Sequence, residues 1–327
     1  MDEQTFAALL GQLGALSASQ REALLRVLSA PAPAPTASAL LDNREPDKVR
    51  CARCASTQVS KWGTAHRLQR YRCRDCLRTF NALTGTPLAR LRHKSVWLGF
   101  SAALQQTLSV RKSAKACGVA PSTAFRWRHR FLAAPAACKP AQLCGIVEAD
   151  ETFFRRSYKG SRRWTTPVPD TPPPSRAARR RGAPTGKRGT PLDQQVPVLI
   201  MRDRQKVTSD AVLDNLTAQA IGKHLIPRLA ADALLCTDTG RAYGVIARQA
   251  GIRHEPVNIS AGEYVRDGVF HIQNVNAYDS RLKAWMQPFR GVATRYLHNY
   301  LGWRRMIERL AETINPDAIL LNCAESR

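Results

Sequence analysis

The sequence predicts a multidomain α+β protein, and three observations carry that prediction. Two C-x2-C pairs stand eighteen residues apart near the N-terminus, which points to a small metal-stapled unit. Helix-period patterns fill residues 93–133. From residue 145 onward, short apolar runs alternate with helical patterns, as in a mixed β-sheet flanked by helices. A chain of 327 residues has room for two or three such units.

Residues 1–29 form an N-terminal helical segment. "QTFAALLGQLGALSASQREALLRVLS" contains two short helix patterns around a Ser-Ala-Ser break, with Ser19 as the expected N-cap before Glu22. Residues 30–47 follow as an Ala/Pro linker, in which "APAPAPTASA" reads as extended and solvated.

Residues 48–82 hold Cys51, Cys54, Cys73 and Cys76. Two C-x2-C knuckles bring four thiolates to the corners of a tetrahedron, and an eighteen-residue spacer spans a short antiparallel ribbon; the expectation is a zinc ribbon with structural Zn2+. Four sulfurs fill every corner, so this metal holds a fold and leaves no position open for catalysis. The other five of the nine cysteines are scattered, which argues for packed thiols in a reducing compartment rather than a disulfide framework. The ribbon carries Arg53, Lys61, Arg67, Arg70, Arg72, Arg74 and Arg78 against a lone Asp75, with Trp62 and Tyr71 interleaved. That mixture suits nucleic-acid docking; the alternative is a charge shell that keeps a mini-domain soluble.

In residues 93–133, "SVRKSAKACGVAPSTAFRWRHRFL" reads as a helix, a tight turn at Gly118, Ser122 as N-cap, and a second helix bearing Arg126, Arg128, His129 and Arg130. This is helix-turn-helix-like, with the second helix expected to meet DNA; two packed core helices with basic outer faces would read alike.

Residues 145–310 are the expected catalytic domain. Strands are expected at residues 145–154, 196–203, 207–213 and 231–240, and a fifth at 253–260. Residues 155–190 form a basic loop too polar to bury a core, read as disordered; its first 35 residues hold eleven Lys or Arg, six Pro and one Asp. Arg179, Arg180 and Arg181 in it are candidate DNA contacts. Residues 311–327 are a C-terminal tail.

Asp150 and Asp238 each stand at the end of an apolar strand pattern. Such ends are rigid places to converge side chains, and two carboxylates there suit two divalent ions about 4 Å apart, which activate a water or a 3'-hydroxyl for in-line attack at phosphorus. In "HIQNVNAYDSRLKAWM", Val275, Tyr278, Leu282, Trp285 and Phe289 mark the buried face of a helix, and Asn276 and Lys283 lie two turns apart on the opposite side. Asn276 is positioned to add a third oxygen ligand and Lys283 to hold a phosphate; Asp279 and Glu263 are the acidic competitors. Glu148 shares a strand face with Asp150, either assisting the site or forming an ordinary salt bridge. His271 and Gln273 are candidates for contact with DNA or metal-bound water, and Trp303, Arg304 and Arg305 for contact with DNA, with core packing of the aromatic residues as the alternative.

The net charge of +25 points to a polyanionic partner. No apolar run approaches the ~20 residues that span a bilayer, and the N-terminus is acidic where a secretory signal is basic. The expectation is a cytoplasmic protein, nucleoid-associated if bacterial, with no membrane partner.

Taken together, "CARC" to "CRDC", "RTFNALTGTPLARL", "VEADETFF", "QVPVLIMRDR", "CTDTGRAY" and above all "FHIQNVNAYDSRLKAWMQPFRGVATRYLHNYLGWRR" resemble the ISXO-like insertion-sequence transposases. The resemblance spans residues 48–310. It implies a ribonuclease H-like, DDE-type catalytic domain in its DDNK variant, with Asp150 and Asp238 as the first two acids and Asn276 and Lys283 completing the set. It further implies Mg2+ or Mn2+ as catalytic ions, cleavage and strand transfer at element ends, terminal inverted repeats and target DNA as partners, and a homodimer or larger synaptic assembly. Two other readings stand beside it: a catalytically silent DNA-binding regulator or domesticated transposase, and a metal-dependent nuclease of ribonuclease H-like fold.

Overall fold

The computed structural model describes residues 3–29, 35–43, 49–160 and 194–325. Arg179, Arg180 and Arg181, with the expected loop beyond residue 160, lie outside the described residues.

Helices α1 (Glu3–Leu13) and α2 (Ala18–Ser29) match the two N-terminal patterns. The cap of α2 is Ser17, not Ser19: Ser17 Oγ accepts from the Gln20 amide at 3.3 Å while Gln20 Oε1 accepts from the Ser17 amide at 2.8 Å. This reciprocal pair satisfies two otherwise orphan donors. The expected linker contains a short helix, α3 (Ala37–Asp42), capped by Thr36, with Ala37 and Leu41 buried. Its apolar residues Ala37, Leu40 and Leu41 stand at helical spacing, a signal the proline run before them obscures.

Strands β1 (Val59–Ala65), β2 (Leu68–Cys73) and β3 (Thr79–Phe80) form a three-stranded antiparallel sheet around the cysteines. Four helices follow: α4 (Trp97–Gln105), α5 (Val110–Ala116), α6 (Pro121–Phe131) and α7 (Ala133–Ala137). Gly118 makes the α5–α6 turn at φ +61°. Ala120, not Ser122, is the N-cap of α6; Pro121 opens the helix, where its missing N–H costs nothing.

The second sheet comprises β4 (Ile146–Arg155), β5 (Gln195–Asp203), β6 (Thr208–Val212), β7 (Leu234–Thr237) and β8 (Arg253–Pro256), interleaved with α8 (Ala218–Leu225) and α9 (Arg241–Ala250). Helices α10 (Gln273–Met286), α11 (Leu297–Leu310) and α12 (Pro316–Cys323) complete the chain. The strand order is β6-β5-β4-β7-β8; β5 runs antiparallel to both β4 and β6, and β7 and β8 run parallel to β4. This mixed sheet has the ribonuclease H-like arrangement expected. Both faces are covered: Val147, Ala149, Leu199 and Leu235 pack with Ile221, Leu225, Tyr243 and Ile246 of α8 and α9. On the other side Val198, Ile200 and Cys236 pack with Val275, Tyr278, Leu282 and Leu301 of α10 and α11.

The expected boundaries of the helical segment and the tail do not match the packing. One core joins Trp97, Phe100, Trp127 and Phe131 to Tyr300 and Trp303 of α11 and to Ile319, Leu320 and Cys323 of α12. The segment expected as a tail is therefore a core helix, because its apolar residues at 319, 320 and 323 close one face of the bundle. Helix α11 serves both bodies, and Arg305 locks the junction: buried, it pairs with Asp210 of β6 and donates to the carbonyls of Pro135, Ala136 and Cys138. A Cβ at Gly302 would lie 2.4 Å from Ala136 Cα, so only glycine permits this approach of α11 to α7.

Candidate metal centre, acidic centre and nucleic-acid face

The four thiols form one cluster. Cys51 and Cys76 are 3.6 Å apart through their sulfurs, as are Cys54 and Cys73, and all four Sγ atoms lie within 4.8 Å of one another. Zn–S bonds of ~2.3 Å put the sulfurs of a tetrahedron about 3.8 Å apart, so the cluster fits zinc. The two knuckles share a backbone solution: Ala55 and Leu77, each the residue after the second cysteine of its pair, have φ +59°. Among the described residues the core beneath them is Cys51, Cys73 and Phe80 with a few half-buried neighbours, while Leu68 of β2 packs into the larger core; so small a cluster does not hold a fold unaided.

The acidic centre is built by register. Strand β4 pairs with β7 in parallel, with Val147 opposite Leu235 and Glu148 opposite Cys236. Carrying that register two residues further brings Asp238, just past the end of β7, level with Asp150. Asp238 Oδ1 accepts from the Gly240 amide at 2.9 Å, and a Cβ at Gly240 would stand 2.9 Å from that oxygen, so the turn fixes both the carboxylate and its glycine. Burial, together with the charges of Glu151, Asp238 and Asp279, pushes the Asp150 carboxyl up to about 6. The hydrogen bond that its Oδ1 accepts from the Glu151 amide, 2.8 Å, opposes the shift.

Glu151 points to the other sheet face, where it accepts from the buried Tyr243 hydroxyl at 2.6 Å. Burial and the Asp238 charge raise its pKa, against that hydrogen bond. Sequence reasoning misses Tyr243, which there reads only as a core aromatic of α9.

Helix α10 brings the third component. Its buried stripe is Val275, Tyr278 and Leu282, as its periodicity predicts, and Asn276 and Lys283 are exposed. Lys283 Nζ pairs with Asp279 Oδ2 at 2.7 Å. Asp279 Oδ1 is buried without a hydrogen-bond partner among the described residues, and the Asp279 charge is felt at Asp150. A carboxylate oxygen left so, near other carboxylates, is an arrangement a divalent cation satisfies. Glu263 is not part of it: its carboxylate holds Arg266 at 2.9 Å and the Asn258 amide at 3.1 Å.

Glu148 is fully buried and holds Arg204 at 2.5 Å, the Asn274 side-chain amide at 2.8 Å and the Val275 backbone amide at 2.8 Å. His271 joins the same group, 3.4 Å from Glu148. Arg204 and Asn274 carry no recognisable signal in the sequence.

The basic candidates divide by burial. Arg70 is exposed on β2, donating to Thr79 Oγ1 at 3.0 Å, and Arg72 lies 4.8 Å from the centre of the exposed Trp62 ring. Arg126 is exposed on α6. Arg128 is fully buried, bonded to the Leu108 carbonyl and Ser113 Oγ and lying over Trp303 at 5.1 Å, so it corrects the expected DNA contact to a core strut. Arg130 is held by the carbonyls of Pro87 and Ala89. Burial, with Arg128 beside it, lowers His129 to about 4, and it stacks on Tyr296 at 3.6 Å. Trp303 and Arg305 are likewise core, not surface. Among the described residues, no helix is long and apolar enough to cross a membrane.

A zinc-ribbon unit joined to a mixed sheet, with one acid inside β4 and another just past the end of the adjacent β7, has the layout of a nuclease-type enzyme. Comparison makes this particular. The ISXO2-like transposase domain matches residues 142–304. A protein of Halobacterium salinarum described as an uncharacterized protein in transposable element ISH50 is 31% identical over 259 residues, 77% of this chain and 83% of that protein. The chain belongs to the ISXO2-like transposase family. Among solved structures, a chain of the simian T-cell lymphotropic virus intasome in complex with PP2A regulatory subunit B56 gamma covers 64% of this chain and 68% of its own, at 10% identity. Its TM-score of 0.30 is too low to relate the two folds.

Proposed function

We propose that this transposase cuts and joins DNA at the ends of its element, with Asp150, Asp238 and the exposed face of α10 as the reacting centre. The observation that carries the reading is the convergence at Asp150, whose carboxyl is pushed up to about 6 by burial and by three neighbouring carboxylates. Burial of an acid beside other acids supports a site for a divalent cation. Asp150 and Asp238 would hold Mg2+ or Mn2+, with Asn276 as the third ligand and Asp279 beside it. When bound, such ions lower the pKa of the attacking hydroxyl and offset charge on the leaving oxygen.

The chain's own residues account for the remaining work. Lys283, tethered to Asp279, supplies a cation to a phosphate on the α10 face. Arg70, Arg72, Trp62 and Arg126 offer surface charge and a stacking ring to a duplex, with terminal inverted repeats and target DNA as the partners. Two element ends must meet for joining, so a homodimer or larger assembly on DNA is the working form. Arg179, Arg180 and Arg181 add charge to whichever strand passes residues 161–193.

The test is a cleavage and strand-transfer assay on duplexes carrying the ends of the encoding element, with Mg2+, comparing wild type with Asp238→Ala, Asn276→Ala and Asp279→Ala. Loss of cutting and joining in the first two supports the assignment; loss in Asp279→Ala with Asn276→Ala active moves the third ligand one turn along α10. Specific end binding without cutting under any divalent ion sinks the catalytic reading in favour of a DNA-binding regulator.

A further inference from the structure

The N-terminus of α10 is capped only in part by its own sequence: His271 Nδ1 accepts from the Gln273 amide at 3.3 Å. The N-cap residue, Ile272, contributes no side-chain bond. A helix start needs acceptors for its first amides and favours negative charge beside them. A second acceptor comes from across the fold: Glu148 Oε2, on β4, takes the Val275 amide at 2.8 Å, the position an N-cap oxygen ordinarily serves. Glu148 Oε1 takes the Asn274 side chain at 2.8 Å and Arg204 at 2.5 Å. Arg204 continues to the Val269 carbonyl at 2.7 Å, so the segment leading into α10 is fixed as well.

The covalent neighbours of this contact give it meaning. On β4, Asp150 stands two residues beyond Glu148 on the same face. On α10, Asn276 directly follows Val275. Two backbone steps on one side and one on the other therefore set the separation of Asp150 from Asn276. A fully buried carboxylate is costly unless it is paired, and this one is met by a guanidinium, an amide side chain and a backbone N–H. A hydrophobic pair would join β4 to α10 more cheaply, but it would not fix the helix along its axis.

Resting on the reading of Asp150 and Asn276 given above, we infer that Glu148 is a positioning residue: a tertiary N-cap that sets the axial position of α10 and so holds Asn276 in register with Asp150. Glu148 touches neither substrate nor metal in this role. It acts through the helix, and Arg204 and Asn274 support it.

The test uses the full-length protein and the element-end duplex. Glu148→Gln keeps the shape and can still accept from Val275, but loses the charge at the helix start and the ion pair with Arg204. Asn274→Ala removes one bond and leaves the carboxylate. For Glu148→Gln, single-turnover cleavage is expected to slow by about 10- to 100-fold, the range for residues that orient ligands from behind. The Mg2+ concentration for half-maximal cleavage rises, while end binding by fluorescence anisotropy is unchanged. Asn274→Ala shifts both readouts in the same direction by less.

Wild-type rate and wild-type Mg2+ dependence in Glu148→Gln overturn the positioning role. So does a variant that only melts earlier and cuts normally below its midpoint. A wild type that binds ends yet cuts under no divalent ion overturns the proposed function, and this role with it; a cutting wild type with an equally fast Glu148→Gln overturns this role alone.

Discussion

Replacing Asp150 by Asn should make the metal-free protein more stable at neutral pH. Its carboxyl is raised from 3.8 to about 6 by burial first and by Glu151, Asp238 and Asp279 next. A gap of about two units at 1.36 kcal/mol each gives roughly 3 kcal/mol, and partial exposure reduces this to about 1–3 kcal/mol. The sign follows from proton binding. Between pH 4 and 6 the folded state holds this proton more tightly than the unfolded one, so the favourable contribution is complete below about 3.8 and is lost as pH rises through about 6. Above that, wild type keeps a buried, repelled anion, and the neutral variant does not. The substituted amide oxygen can still accept from the Glu151 N–H. Thermal melts without divalent ions should show Asp150→Asn several degrees more stable at pH 7.5, with the gap closing by pH 4. Added Mg2+ should then raise the wild-type midpoint and leave the variant's unchanged. A variant no more stable than wild type at pH 7.5, or an advantage undiminished at pH 4, refutes the electrostatic account of this centre.

Other perturbations separate structural from functional residues. Cys73→Ser, or strong chelation, should release one zinc per chain and unfold residues 49–82 while the melt of the larger body persists, read by a colorimetric zinc indicator and NMR. Arg128→Ala should cost about 2–4 kcal/mol in denaturant unfolding, because it strands two acceptors and empties the space over Trp303. Arg126→Ala should leave stability intact, weaken DNA binding and reduce the salt slope by about 0.9 if it meets one phosphate. Gly302→Ala should destabilise by about 3 kcal/mol or more, since the new methyl meets backbone at 2.4 Å; a melt within error of wild type would refute the close approach of α11 to α7.

The sequence is most legible where one physical rule acts alone. The cysteine spacing predicts a cluster that the structure assembles, and the period-3.6 stripe of Val275, Tyr278 and Leu282 marks the buried face of α10. Asp238 is readable because an apolar run stops there, just past β7, whereas Asp150 falls inside β4, which its pairing with β5 carries on to Arg155. Where two rules compete, pattern alone picks the wrong one. Arg128 reads as a surface charge in any pattern argument, yet its guanidinium is buried 5.1 Å from the centre of the Trp303 ring, with one nitrogen bonded to two acceptors. The tail and linker expectations fail for another reason: α3 and α12 are too short to announce an amphipathic pattern, and they are stabilised by packing on partners far away in the chain. Glu148 illustrates the limit of local reading. Its face on β4 is predictable, whereas its acceptance of an amide 127 residues away belongs to the assembled fold.

The shared core of α4, α6, α11 and α12 also bears on how this chain is made. At about 5–20 residues per second, roughly 10 to 40 s of translation separate the end of α6 from the start of α12. For most of that interval Trp97, Phe100 and Phe131 have synthesised neighbours on one side only, since Trp303 arrives near its end and Ile319 and Leu320 after it. A chain stopped short of residue 316 carries every candidate catalytic and zinc-binding residue but exposes this apolar seam, a substrate for chaperones and proteases. A copy that lacks α12 therefore carries its acids and cysteines on a body whose shared core is open on one side.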